Sequence, residues 1–333
     1  MPIISLSASI RKPILKTGQI VRLQNGEFEV LKEQTGELSA CAEVAFGKEL
    51  KTGRKVAFKT PRTDRGDIHL YVDNVAREGR LLTRLKNKHP NIVQIIDLGT
   101  VTQDSLPVLV LEDLGDIEIG KVIKNEGPFR KNTTLRITET ILDVDECLAE
   151  NGVFHRDQKP SNIIYVPKRG PVLIDFGLSD CDEEGGSIYG RGRVIGTPLY
   201  MDDQTAEGYH EGEKSEVYSV AMNYLAMRIG ENRLEPRLGP EWGAQFRREL
   251  RENIKTQLPK LEEDEREIIQ RNLSERIRER QNFAEFRDSI RKIRSGVKQI
   301  ETSQTLDSKT DNRWIITVAT AAKALLAKII EKR

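Results

Sequence analysis

His155-Arg156-Asp157-Gln158-Lys159-Pro160-Ser161-Asn162 is followed, thirteen residues after Asn162, by Asp175-Phe176-Gly177. The second motif closes an apolar run, Val172-Leu173-Ile174, that reads as a strand. A carboxylate and an amide a short loop apart, with a second carboxylate at a strand end, can hold one general base and two metal ligands. Working outward, residues 27–114 read as short extended segments with one helix. These are Phe28–Leu31, Ala42–Phe46, Lys55–Lys59, a helix near Val72–Asn87, Ile92–Asp97 and Pro107–Glu112. From Thr133 the apolar spacing turns helical, through Leu135, Ile137, Ile141, Leu142, Val144 and Leu148. A small, mostly β lobe followed by a larger, mostly helical one is the α+β architecture expected.

These motifs, in this order, resemble the eukaryotic-like protein serine/threonine kinase family over about residues 27–295. The resemblance implies a two-lobed kinase fold, ATP and Mg2+ as cofactors, and transfer of the γ-phosphoryl group to Ser/Thr hydroxyls of protein substrates. It further implies that Asp157 is the catalytic base and that Asn162 and Asp175 are the magnesium ligands. Lys159 would steady the transferred phosphoryl. Val56-Ala57-Phe58-Lys59 resembles the strand whose lysine meets the α- and β-phosphates, and Glu78 is its expected partner from the following helix. Val44, Ala57 and Ile164 would line the base pocket, with Glu112, Asp113 and Leu114 as the connecting hinge. Gly196-Thr197-Pro198 resembles the substrate-positioning loop, so Thr197 is expected to reach Asp157 and Lys159.

Several parts of the chain depart from the family pattern. The three glycines of the phosphate-covering loop map onto Glu37, Ser39 and Ala42, although Ser39 is small enough for backbone amides to approach phosphate. Asp202-Asp203-Gln204 stands where the family has Ala-Pro-Glu. Gln204 is therefore expected to make a neutral hydrogen bond to Arg280 in place of an ion pair. Glu216 replaces the aspartate that braces the catalytic loop, and Gln158 replaces a leucine, which reads as a minor change. The activation segment holds Ser179, Ser187 and Tyr189, and Arg193 stands at the position where the family has its usual phosphosite.

The net charge of +1, from 53 Lys and Arg against 52 Asp and Glu, provides no global field toward nucleic acid, and no nucleic-acid partner is expected. Three widely spaced cysteines and an N-terminus without a long apolar run point to a reducing, cytoplasmic setting. Residues 1–26 read as an extension, 27–114 and 115–295 as the two lobes, 296–312 as a polar linker and 313–333 as an amphipathic helix. That helix is expected to dock on protein, with oligomerisation or membrane contact through 314–330 as alternatives. Two other functions stay open: a pseudokinase scaffold, favoured by the altered loop, and a small-molecule phosphotransferase, disfavoured by Lys159 and the Gly196 segment.

Overall fold

The computed structural model describes residues 14–33, 42–63, 67–101, 105–181, 194, 196–237 and 243–303. Ser39 and the rest of the phosphate-covering loop before Ala42, Ser187, Tyr189, Arg193, and the stretch 304–333 that includes the expected C-terminal helix lie outside these residues. The chain divides into two compact units. The first takes the residues through Lys88, Val93–Leu114 and Asp175–Gly177; the second takes His89–Ile92, Gly115–Ile174 and the chain from Leu178 on.

In the first unit, β1 (Ile20–Arg22), β2 (Glu27–Glu33), β3 (Ala42–Glu49), β4 (Lys55–Pro61), β5 (Ile95–Val101) and β6 (Leu106–Glu112) form one antiparallel sheet in the order β1-β2-β3-β4-β6-β5. The side-chain period of two sorts this sheet. Phe28, Val30, Ala45, Val56, Phe58, Val108 and Val110 share a buried cluster with Leu15 and Val21. Phe28 and Phe58 meet edge to face, their centroids 6.4 Å apart. Because Leu15 and Val21 enter this core and β1 pairs with β2, the sheet unit begins before the residue-27 boundary read from the sequence. Val44 and Ala57 are half-buried and Lys59 is buried, and the β3–β4 register places Val44 opposite Lys59.

Helix α1 (Ile68–Arg84) is capped by Asp67, whose side chain accepts from the His69 and Leu70 amides. It buries Val75, Glu78 and Leu82, one stripe at helical spacing, and packs on β4 and β6. At Gly79 an added Cβ would lie 2.6 Å from the Leu109 side chain on β6, so the absence of a side chain lets the helix approach the sheet closely. The strand expected from Ile92 starts instead at Ile95, and His89–Ile92 belongs to the other unit.

In the second unit, α2 (Ile119–Glu126) and α3 (Lys131–Glu150) precede β7 (Val153–Phe154) and a hairpin of β8 (Ile163–Val166) and β9 (Gly170–Leu173). β10 (Asp180–Cys181) pairs with β7. Then come α4 (Asp203–Ala206), α5 (Glu213–Ile229), α6 (Ala244–Gln257), α7 (Glu263–Asn272) and α8 (Phe283–Ser303). Helix α5 is buried nearly all round, including Val217, Val220, Ala221, Met222 and Leu225, which makes it the axis of this unit. It packs against α3, α7 and α8. Helix α8 runs on to Ser303, so the first residues of the stretch read as a linker are helical.

Candidate active site

The first unit carries a buried charge cluster. Lys59 Nζ lies 2.6 Å from Glu78 Oε2 and 2.6 Å from Asp175 Oδ1. Burial alone would lower the lysine's affinity for its proton, but Asp175 and Glu78 outweigh it and hold the ammonium charged. Burial raises Glu78 above the usual carboxylate range, against the pull of Lys59. Glu78 Oε1 also accepts the amide of Phe176, which fixes Asp175-Phe176-Gly177 to α1. Asp175 adopts a left-handed backbone, φ 64°, a strained conformation for a residue with a Cβ. Hard oxygen donors such as Asp175 suit magnesium. Glu112 is tied locally: its amide donates to Gln94 O, and its side chain accepts from the Gln94 amide. Leu114 is half-buried at the end of this unit's chain segment.

The second unit carries a hydrogen-bonded carboxylate. Thr197 Oγ1 donates to Asp157 Oδ1 at 2.7 Å and accepts from Lys159 Nζ at 2.8 Å. Lys159 Nζ also lies 2.8 Å from Asp157 Oδ2. Asn162 Nδ2 donates to the Asp157 backbone oxygen at 2.8 Å and to Oδ2 at 3.2 Å, which commits the amide nitrogen and turns Oδ1 into the available ligand atom. A 3-10 turn, Pro160–Asn162, sets that spacing, and Ile174 N donates to Asn162 O. Ile164 is buried on β8 two residues later.

Outside supports hold this loop. His155 is fully buried, with Nε2 3.0 Å from Ile174 O, and Arg156 takes a left-handed φ of 66°. The Arg156 amide donates to Glu216 Oε1 at 2.6 Å, so glutamate reaches the backbone that the family's aspartate would brace. Gly196, at φ 113°, abuts the loop: a Cβ there would lie 2.6 Å from Arg156 O. Ser179 is buried and donates to His155 O, which makes this hydroxyl part of the fold rather than an accessible phosphosite.

One expectation is corrected. Arg280 bonds to Asp202, Nη1 to Oδ2 at 2.5 Å, with both side chains buried, and not to Gln204. Burial would raise Asp202, yet its bonds from Thr205 and Arg280 hold it below the usual carboxylate range. The ion pair is thus kept, with its carboxylate two residues earlier. Asp202 also caps α4 and accepts from Ser215, which explains why an N-cap position can take over the role. The signal was present as Asp202 itself, an aspartate three residues before Thr205 at a helix start.

The family model described as protein kinase domain matches residues 35–332. The chain belongs to the protein kinase family. Its kinase domain is 29% identical over 182 residues to a probable serine/threonine-protein kinase of Corynebacterium efficiens, covering 54% of this chain and 27% of that protein. It is 30% identical over 196 residues to the serine/threonine-protein kinase PknB of Mycobacterium tuberculosis, covering 57% and 30%. It is 27% identical over 195 residues to the serine/threonine-protein kinase pkn3 of Myxococcus xanthus, covering 56% and 35%. The aligned part therefore spans about a third or less of these curated relatives. No helix among the described residues is long and apolar enough to cross a membrane.

Proposed function

We propose that this kinase transfers the γ-phosphoryl group of ATP to serine or threonine hydroxyls of protein substrates. The observation that carries the reading is the bond between Thr197 and Asp157, made while Lys159 donates to the same threonine. A loop that positions a peptide has a reason to hold the base in this way, and a small-molecule phosphotransferase does not.

In this reading Asp157 accepts the proton of the incoming hydroxyl as its oxygen attacks the γ-phosphorus, and the bond to the β–γ bridging oxygen breaks to release ADP. Thr197 and Asn162 fix the orientation of the Asp157 carboxylate. Lys159 places an ammonium against the negative charge on the transferred group. Lys59, kept charged and aimed by Glu78, binds the α- and β-phosphates, and Val44, Ala57 and Ile164 give the adenine apolar surfaces. Asn162 Oδ1 and Asp175 would hold magnesium. When bound, the ion supplies charge neutralisation at the phosphate oxygens.

The test is incorporation of label from ATP, with magnesium and a generic basic protein, by wild type, Asp157→Asn and Lys59→Met. Wild type should label serine and threonine, and both variants should fall to background. Equal labelling by all three would refute the assignment.

A further inference from the structure

Gln158 and Asp145 form a buried polar pair in which each side chain keeps an acceptor oxygen without a hydrogen bond among the described residues. Both side chains are almost fully buried, and Gln158 Nε2 donates to Asp145 Oδ1 at 2.5 Å and to Glu216 Oε2 at 3.1 Å. That spends both amide protons and leaves two buried acceptors, Asp145 Oδ2 and Gln158 Oε1, without a hydrogen-bond partner among the described residues. Reversing the amide would be worse, since it would turn Oε1 toward two carboxylates. Two carboxylates are thus joined through one amide nitrogen, and like charges so placed do not both ionise readily.

The surroundings decide which one is charged. Glu216 on α5 accepts the Arg156 amide and has His210 Nε2 3.3 Å from Oε1. Burial would raise it, but His210, His155 and the Arg156 amide outweigh that and keep it ionised. Asp145 on α3 has no such help: burial and then the Glu216 charge push it well above the usual carboxylate range, opposed only by Gln158. Helix α8 faces α3 with Arg287, Arg291 and Arg294, but these pair with Asp143, Glu146 and Glu139.

We propose that Asp145 carries a proton on Oδ2, donated to Gln158 Oε1, and that this two-point acid–amide pair positions the catalytic loop through Gln158. One proton satisfies both orphaned acceptors. Gln158 follows Asp157 directly, so the pair fixes the backbone that carries the base, and Asp145 is a positioning residue that touches no substrate. The part concerning turnover rests on the kinase reading above; the proton does not.

Two readouts separate them. Infrared difference spectra at neutral pH should show a protonated-carboxyl band in wild type that Asp145→Asn removes. Because the folded-state affinity for the proton is raised, its stabilising effect is complete below the ordinary carboxylate range and is lost as pH rises toward the folded value. The melting temperature of wild type should therefore fall relative to Asp145→Asn as pH rises above the ordinary carboxylate range. No band, together with parallel melting curves, overturns the proton. In turnover, Asp145→Leu should lower kcat roughly tenfold with KM for ATP unchanged, by an argument of loop misplacement. Asp145→Asn, which keeps both bonds, should restore kcat to within about threefold, and its kcat should lack any fall that loss of the Asp145 proton causes in wild type. The double change Asp145→Leu with Gln158→Leu, an apolar pair, should also recover kcat and serves if the single variant does not fold. Wild-type kcat in Asp145→Leu, or Asp145→Asn as impaired as Asp145→Leu, overturns the positioning role. Absence of phosphoryl transfer by wild type itself would instead sink the kinase reading and leave the spectroscopic result standing.

Discussion

The charge set around Lys59 and the one around Asp157 keep ionised groups in place by opposite means. In the sheet unit a single ammonium sits between two carboxylates, Glu78 and Asp175, and Coulomb attraction does most of the holding. In the helical unit one carboxylate is surrounded by donors from Thr197, Asn162 and Lys159, on a loop whose backbone is fastened by Glu216 and approached by Gly196. The first arrangement is short-range and self-contained, and taking away its cation strands two anions. The second is distributed, and taking away its charge leaves most of the hydrogen bonds standing. Stability and chemistry should therefore separate differently in the two places.

The largest expected effect uses that separation. Asp157→Asn should reduce phosphoryl transfer by about 10²–10⁴-fold, the usual worth of a general base, while an amide can still accept from Thr197 and the melting temperature barely moves. Lys59→Met should also abolish labelling, but it leaves Glu78 buried without its partner, a change that costs on the order of 3–5 kcal/mol where neighbours cannot relax. Calorimetry of the two variants beside the labelling assay makes the check. A destabilised Asp157→Asn and an undisturbed Lys59→Met would reverse the comparison.

The same contrast explains what was legible in the sequence. Lys59 and Glu78 could be paired because a strand and the helix packed on it are adjacent in the chain, and Glu78 falls on the buried stripe with Val75 and Leu82. The motif around Asp157 announced its own chemistry, and Thr197 was placed by its spacing from Gly177. The supports of that motif were harder to see. Glu216 meets Gln158, and Arg280 meets Asp202, only through tertiary packing, over separations of 58 and 78 residues. Gln158 read as a minor exchange for leucine because its meaning lies in Asp145, thirteen residues earlier. Arg280 was expected to meet Gln204 because position, and not chemistry, was carried over; the carboxylate two residues away held the stronger claim.

That correction supplies the second prediction. Asp202→Asn should cost about 3–5 kcal/mol, since it leaves Arg280 buried against a neutral group and weakens the cap of α4. Gln204→Glu in the same background restores the family's residue but should recover little, because Arg280 is bonded through Asp202, Ser274 O and Lys214 O. Urea unfolding of both variants decides it. Full recovery by Gln204→Glu would show that the arginine accepts either carboxylate. As Asp202 is held below the usual carboxylate range, its contribution is present above that range and is lost as pH falls through the folded value. Asp202→Asn should accordingly flatten the acid limb of the stability curve.

A third, smaller effect probes how the loop of the second set is approached. Gly196→Ala must hold a left-handed backbone at φ 113° and place a methyl group 2.6 Å from a main-chain oxygen, Arg156 O, and 2.7 Å from the Met201 side chain. The oxygen belongs to a fastened loop and cannot retreat cheaply. A loss of about 1–3 kcal/mol is expected, with kcat reduced more than KM for ATP, because Thr197 is displaced from Asp157.

The smallest effect comes from the matching glycine of the first set. Gly79→Ala also creates a 2.6 Å contact, but against Leu109 Cδ2, the far end of a side chain that can turn aside, and with no second atom closer than 3.9 Å. Gly79 lies inside α1, where alanine is favoured over glycine by roughly 1 kcal/mol, so the gain in helix propensity offsets most of the packing cost. The net change in stability should be within about 1 kcal/mol of zero. Lys59 and Glu78 should stay paired, so the KM for ATP should hold. A large rise in that KM with little change in melting temperature would mean that a small shift of α1 is enough to break the Lys59 set, and that its Coulomb attraction tolerates less displacement than the hydrogen-bonded set around Asp157.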